Sequence, residues 1–139
     1  MCVMLDVENA LHVGDTDLYV AREFDAWSDE PTQGIGIGIS TERVGDDVVE
    51  SRYNNTRLRV SQVDTLIEML EGGLEGNIKG TALFLLDGGH TVSIATDWDN
   101  EGNPLADTSN AVVLTDAQVE DLVILATKAK NDQSLAVAA

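Results

Sequence analysis

The sequence predicts an α+β fold, an antiparallel sheet with two amphipathic helices packed on one face. Three observations carry this. Short runs rich in Val, Ile, Leu and Tyr alternate with Gly, Asn and Asp turn signals along most of the chain. Two segments show the i, i+3, i+4, i+7 apolar spacing of one helical face. Each of them follows a series of the short runs, so the pattern reads as a tandem β-meander–helix repeat. At 139 residues, 43% hydrophobic, with Pro31 and Pro104 as the only prolines, the composition is globular. A single domain spanning 1–139 is expected, with halves that would divide as 1–76 and 77–139. Aromatic residues are few (Tyr19, Phe24, Trp27, Tyr53, Phe84 and Trp98), so the core must be aliphatic.

In chain order, the expected strands are Leu5 to Glu8, Leu18 to Phe24, Ile35 to Ile39, Val48 to Tyr53 and Leu58 to Val60, then Ala82 to Leu86, Val92 to Ala95 and Val112 to Leu114. Gly14-Asp15, Gly45-Asp46, Asn54-Asn55 and Gly88-Gly89 mark turns between them. Asn54-Asn55 beside Thr56 predicts a tight hairpin that pairs Val49–Tyr53 with Arg57–Val60. The first helix starts at a Ser61 cap with Asp64 three residues on, and Gly72-Gly73 stops it. The second starts at a Thr115/Gln118 capping box and ends near Lys128, Lys130 and Asn131, where cations suit the helix dipole. Gln62 to Leu70 aligns with Gln118 to Ala126, which places Leu66 and Leu122 at equivalent buried positions.

Charge constrains function more than any motif does. Asp and Glu number 25 against 8 Lys and Arg, a net charge of −17, and the only lysines are Lys79, Lys128 and Lys130. Self-repulsion of this size opposes compaction unless salt screens it or a cationic partner meets it. Three readings follow: adaptation to high salt, an acidic docking face for a basic partner, or an ordinary solvated surface. The single cysteine, Cys2, leaves no intramolecular disulfide and no cysteine-based zinc site. The segment Met1 to Asp6 carries no basic n-region, and the most apolar run, Ala82 to Leu86, is far short of a membrane span. The expected location is the cytoplasm, or a virion assembled there.

The candidate sites are few. Asp97, Asp99 and Glu101 alternate ahead of Gly102 like the opening of a Ca2+ loop, but Thr108 stands where a bidentate Glu belongs. Otherwise no cofactor is expected. Gly34, Gly36 and Gly38 alternate with Ile35, Ile37 and Ile39, which puts a bare glycine face behind an apolar one. Such a face admits close approach by another backbone, here expected to be the chain's own helix or a neighbouring subunit. Arg57 and Arg59, with Arg52 on a facing strand and Tyr53 adjacent, form the only basic cluster. His12 and His90 each stand beside a turn with no motif to recruit them, and there is no nucleophile elbow or Walker loop. The residues point to no enzyme.

The segment Thr91 to Ala129 resembles the closing strand and helix of the positive-cofactor-four and Whirly-like single-strand-binding fold. The likeness rests on Val113-Leu114-Thr115-Asp116-Ala117-Gln118. Val119 stands where that family has a tryptophan, and the family's basic strands are missing. The leading expectation is therefore a non-catalytic acidic interaction or structural protein that binds other protein subunits or itself, from a virus or a salt-adapted microbe. Two alternatives stand beside it. One is an inhibitor that mimics nucleic acid with rows of carboxylates. The other is the single-strand nucleic-acid-binding module that the resemblance implies, which net charge disfavours.

Overall fold

The computed structural model describes residues 3–5, 10–25, 31–44, 49–106 and 111–138. Cys2, Trp27, the Gly45-Asp46 turn, Asp107 and the Asp6–Glu8 part of the first expected strand lie outside them. In order the elements are β1 (Val3–Leu5), β2 (Ala10–Val13), β3 (Thr16–Asp25), β4 (Pro31–Val44), β5 (Val49–Leu58), α1 (Val60–Gly72), β6 (Gly76–Asn77), β7 (Leu83–Leu86), β8 (Thr91–Ile94), β9 (Ala111–Val113) and α2 (Asp116–Ala138). The α+β class stands. The strands make two antiparallel sheets where one was expected. In the first, β3, β4 and β5 run side by side, and β1 and β2 share the remaining edge of β3 end to end. The second has the order β6-β7-β8-β9.

The first sheet is set by its hydrophobic register. Leu18 lies opposite Ile39, Val20 opposite Ile37 and Ile35 opposite Leu58, which puts all six on one buried face. Gly14-Asp15 closes the β2–β3 hairpin as a two-residue turn, with Gly14 at φ 62° where a side chain would be strained. The expected hairpin at Asn54-Asn55 does not form. β5 runs straight through, with Asn54 opposite Ile39 and Asn55 opposite Gly38. Packing against the long β4 outweighs the local turn preference of the two asparagines.

Both helices pack on this sheet, α2 against β2, β3 and β4, and α1 against β4 and β5. Val63, Leu66 and Leu70 of α1 and Leu122, Ala126 and Ala129 of α2 are buried in the same cluster as the inner face, joined by Leu83, Leu85, Val92 and Ile94 of the second sheet. Each fully buried aliphatic side chain contributes about 1.5–3 kcal/mol. Lys130 Nζ meets Asp64 Oδ1 at 2.5 Å, tying one helix to the other. The sheets are joined where the Ala82 N–H donates to Thr56 Oγ1 at 3.2 Å.

The two helices start differently. α2 carries the expected box, Thr115 N–H to Gln118 Oε1 at 2.9 Å and Gln118 N–H to Thr115 Oγ1 at 3.2 Å. It continues past Asn131 to Ala138, since no glycine or proline interrupts it. α1 begins one residue before Ser61, and its first turn is held by the Arg59 N–H donating to Gln62 Oε1 at 2.7 Å. At its other end Gly73 adopts the left-handed conformation, φ 64°, and donates to Met69 O, the stop that Gly72-Gly73 predicts.

Candidate binding face on the first sheet

Alternation sends every second residue of the first sheet outward. β4 contributes Gly34, Gly36 and Gly38 to this outer face, flanked in register by Tyr19 and Ala21 of β3 and by Asn55 and Arg57 of β5. All three glycines are nonetheless buried. What covers them includes side chains of their own sheet. A Cβ at Gly34 would sit 2.5 Å from Cδ and 2.6 Å from Cγ of Arg57, and one at Gly38 would sit 2.9 Å from the Tyr53 hydroxyl. The glycine row is a shallow channel across which β5 lays its long side chains. At Gly34 and Gly38 the cover from within the chain comes from the adjacent strand and not from a helix.

Arg57 crosses the channel to β3, where Nε lies 2.6 Å from Glu23 Oε2. The Glu23 side chain is only 7% exposed, so the ion pair is anchored at one end and open at the other, where the Arg57 side chain is 57% exposed. Tyr53 also stays half in solvent, at 51% exposure. Beside it the Tyr19 hydroxyl donates to Asp17 Oδ2 at 3.3 Å. Burial, with the charge and hydrogen bond of Asp17, raises the Tyr19 phenol above its ordinary value, so it stays neutral. Asp17 also meets His12 Nδ1. Both carboxylates that β3 places here, Asp17 and Glu23, are thus engaged.

Two cavities flank the face. One, of about 660 Å³, is lined by Arg57, Arg59, Val60 and Ser61 at the start of α1. The other, of about 530 Å³, lies between the sheets, and Asn55, Asn77, Lys79, Trp98 and Asn103 contribute to its lining. Trp98 is 54% exposed. Asn77 is already committed in part, its Nδ2 donating to Thr81 O and Leu83 O, both at 3.0 Å. Arg57, Asn55 and Tyr53 share the outward face of β5; Arg57 also lines the α1 cavity, and Asn55 the cavity that holds Trp98.

The basic cluster is only partly assembled. Arg57 lies on the outer face and Arg59 at the start of α1, whereas Arg52 lies on β5 itself, opposite Thr41 and not on a facing strand. The Asp97–Glu101 segment forms a closed hairpin, with Trp98 bridged to Pro104. Asp99 Oδ1 accepts from the Glu101 N–H at 2.8 Å and the Asn103 N–H at 2.9 Å. Those bonds, Asn103 first, hold the Asp99 carboxyl below its ordinary value. The turn therefore accounts for this carboxylate, and among the described residues no three His, Cys, Asp or Glu side chains converge as metal ligands. Asp97, Asp99 and Glu101, the candidate Ca2+ ligands, are not brought together as a metal cluster among the described residues, and the segment is a hairpin turn.

Sequence reasoning missed Lys79, Trp98 and the asparagines of the inter-sheet cavity, because they come together only when the hairpin folds beside the first sheet. That Arg57 pairs with a surrounding acid agrees with the expectation for the arginine cluster in so acidic a chain; Glu23 was not foreseen as the partner. The signal for that pair was present: a glycine row needs a long residue on the next strand to cover it. No helix among the described residues is long and apolar enough to cross a membrane. The chain matches no protein-family model, no curated protein and no solved structure.

Proposed function

We propose that the protein is a non-catalytic binding module that holds a single-stranded nucleic acid along the outer face of its first sheet. The observation that carries this is the channel itself, where Tyr53 and Arg57 lie across Gly38 and Gly34 with about half of each side chain still open to a ligand. Exposed aromatic planes, guanidinium groups and amides on a sheet are the chemistry by which unpaired bases are stacked and phosphates met. Trp98 and Lys79 in the inter-sheet cavity extend the same chemistry beyond the channel.

Net charge is the obstacle, and salt removes it. At −17 the whole chain repels a polyanion at low ionic strength. At about 1 M salt the Debye length falls to roughly 3 Å, so only contacting groups act. Stacking, which needs no net positive field, then carries the binding. A salt-rich setting agrees with the scarcity of lysine. A protein subunit docking on this face would meet Arg57 and Tyr53 over Gly34 and Gly38, and not bare glycine.

The experiment is fluorescence anisotropy with a labelled oligothymidine at molar KCl. Replacing Tyr53 or Trp98 with Ala removes one stacking plane each, about 1–3 kcal/mol. The affinity should therefore drop by roughly 5- to 150-fold per substitution. Oligonucleotide binding indifferent to both changes would sink the proposal. So would displacement of DNA from a basic protein without any binding of DNA itself, which is the behaviour of a nucleic-acid mimic.

A further inference from the structure

A third cavity, of about 660 Å³, opens at the opposite end of α1. Its floor is the Gly88-Gly89 turn, which approaches so closely that a Cβ on Gly89 would lie 3.4 Å from the Gly73 backbone. One wall is the last turn of α1 with Leu70. The other is the face of α2 formed by Val119, Val123 and Ile124. Val119 and Val123 are partly buried against the core, and Ile124 beside them is the apolar side chain that α2 leaves exposed in the groove. Ile124 is 64% exposed.

The rim is acidic. Glu71 and Glu120 line the two sides, and Asp116, hydrogen-bonded to His90 at 2.5 Å, stands at the mouth. The carbonyl end of α1 adds its negative pole, set against the amino end of α2 at Asp116 and the His90 imidazole, and the three carboxylates leave the rim negative. Apolar walls under a negative rim fit one kind of occupant. We infer that this groove docks a cationic amphipathic segment of another protein, with apolar side chains against Ile124, Val119 and Val123, and Lys or Arg facing Glu71 and Glu120. A second copy of the chain is a poor occupant, because it brings a further −17 charge to the rim. The inference is independent of the nucleic-acid reading, since the groove and the glycine channel share no residue.

The probe is a labelled synthetic peptide of about four helical turns, with leucines on one face and lysines elsewhere. It is titrated against the full chain in about 0.15 M salt, where surface charges still act. Ile124→Ser leaves net charge unchanged and should weaken peptide binding about tenfold, the scale of uncovering part of one apolar side chain. Glu120→Gln should weaken it a few-fold. Leu105→Ser, a change of the same kind on the distant hairpin, should have no effect, and circular dichroism checks that all three variants fold. Equal affinity for Ile124→Ser and Leu105→Ser would overturn the inference, because attraction would then be a matter of net charge alone. A chain that dimerises by light scattering, and loses the dimer on Ile124→Ser, would also overturn it in favour of self-association. Oligonucleotide binding by Ile124→Ser should match the parent, which separates failure here from failure of the nucleic-acid reading.

Discussion

The two faces of β4 put one strand to opposite uses. On the inner face Ile35, Ile37 and Ile39 are 0%, 0% and 3% exposed and are closed over by helices. On the outer face Gly34, Gly36 and Gly38 give up side-chain packing, and long residues from β5 fill part of the gap while keeping their ends in water. Stability is concentrated on one side by branched aliphatics that have few rotamers to lose. On the other, Arg57 and Tyr53 lie over the glycines and stay about half exposed, with the Arg57 guanidinium paired to Glu23. Glycine makes this possible by letting Arg57 and Tyr53 lie flat, where a Cβ would make them stand up.

Breaking the inner face should cost the most. Ile37→Ala, or Leu66→Ala and Leu122→Ala on the helices that cover it, each remove a side chain that is 0% exposed. Each should lower unfolding free energy by about 2–5 kcal/mol in a denaturant titration. Losses below about 1 kcal/mol at Leu66 and Leu122 would mean that the helical faces have been misplaced.

The outer face should respond less, and unevenly. Gly34→Ala displaces the Arg57 stem and with it the pair to the buried end at Glu23, for a net cost of about 1–2 kcal/mol. In an Arg57→Ala background the same substitution should cost nothing, a double-mutant cycle that isolates the contact. Gly38→Ala meets the ring of an exposed tyrosine that can swing outward, and the gain in backbone entropy offsets the shift. Its stability should fall within about 0.5 kcal/mol of the parent. If Gly38→Ala proves the costlier of the two, the channel is closed more firmly at its Tyr53 end than the exposure of that ring implies.

A smaller effect, away from both faces, gives a reference for surface chemistry. The hydrogen bond to Asp116 raises His90 above the ordinary imidazole value. A raised folded-state value contributes stability that is fully present below the unfolded value of about 6.5 and is lost as pH rises through the folded one. Thermal melts of the parent and His90→Gln should therefore differ slightly near pH 5.5 and converge in alkali. A difference that grows with pH would reverse the assignment.

The fold was legible where periodicity and punctuation agree. Val63, Leu66 and Leu70 fall on one helical face, Gly73 ends α1, and Thr115 with Gln118 begins α2 as their spacing predicts. It was not legible where tertiary packing overrides local preference. Asn54 and Asn55 read as a turn and became strand because β4 offers a continuous partner. β6 has two residues, Gly76 and Asn77, too short for any pattern to announce. Of the site, the glycine row and the neighbourhood of Arg57 and Tyr53 were visible, but what lies over the glycines was not. That depends on register between strands, which places Arg57 opposite Gly36 and sends its stem diagonally over Gly34. Trp98 carried no signal in the sequence, and its place beside Asn55 and Lys79 follows from a contact between the two sheets.

Under the proposed function this acidic chain binds a polyanion by stacking on one sheet face, with salt as its ally. The affinity for oligothymidine measured across KCl concentrations from about 0.1 to 1 M tests that claim most directly. A basic single-strand binder making three phosphate contacts would lose affinity with a log–log slope of about −2. Here, screening of the −17 charge should offset counterion release, so that binding at about 1 M is at least as tight as at 0.1 M. Affinity that falls tenfold or more over that range, or no binding at any salt, would contradict the account.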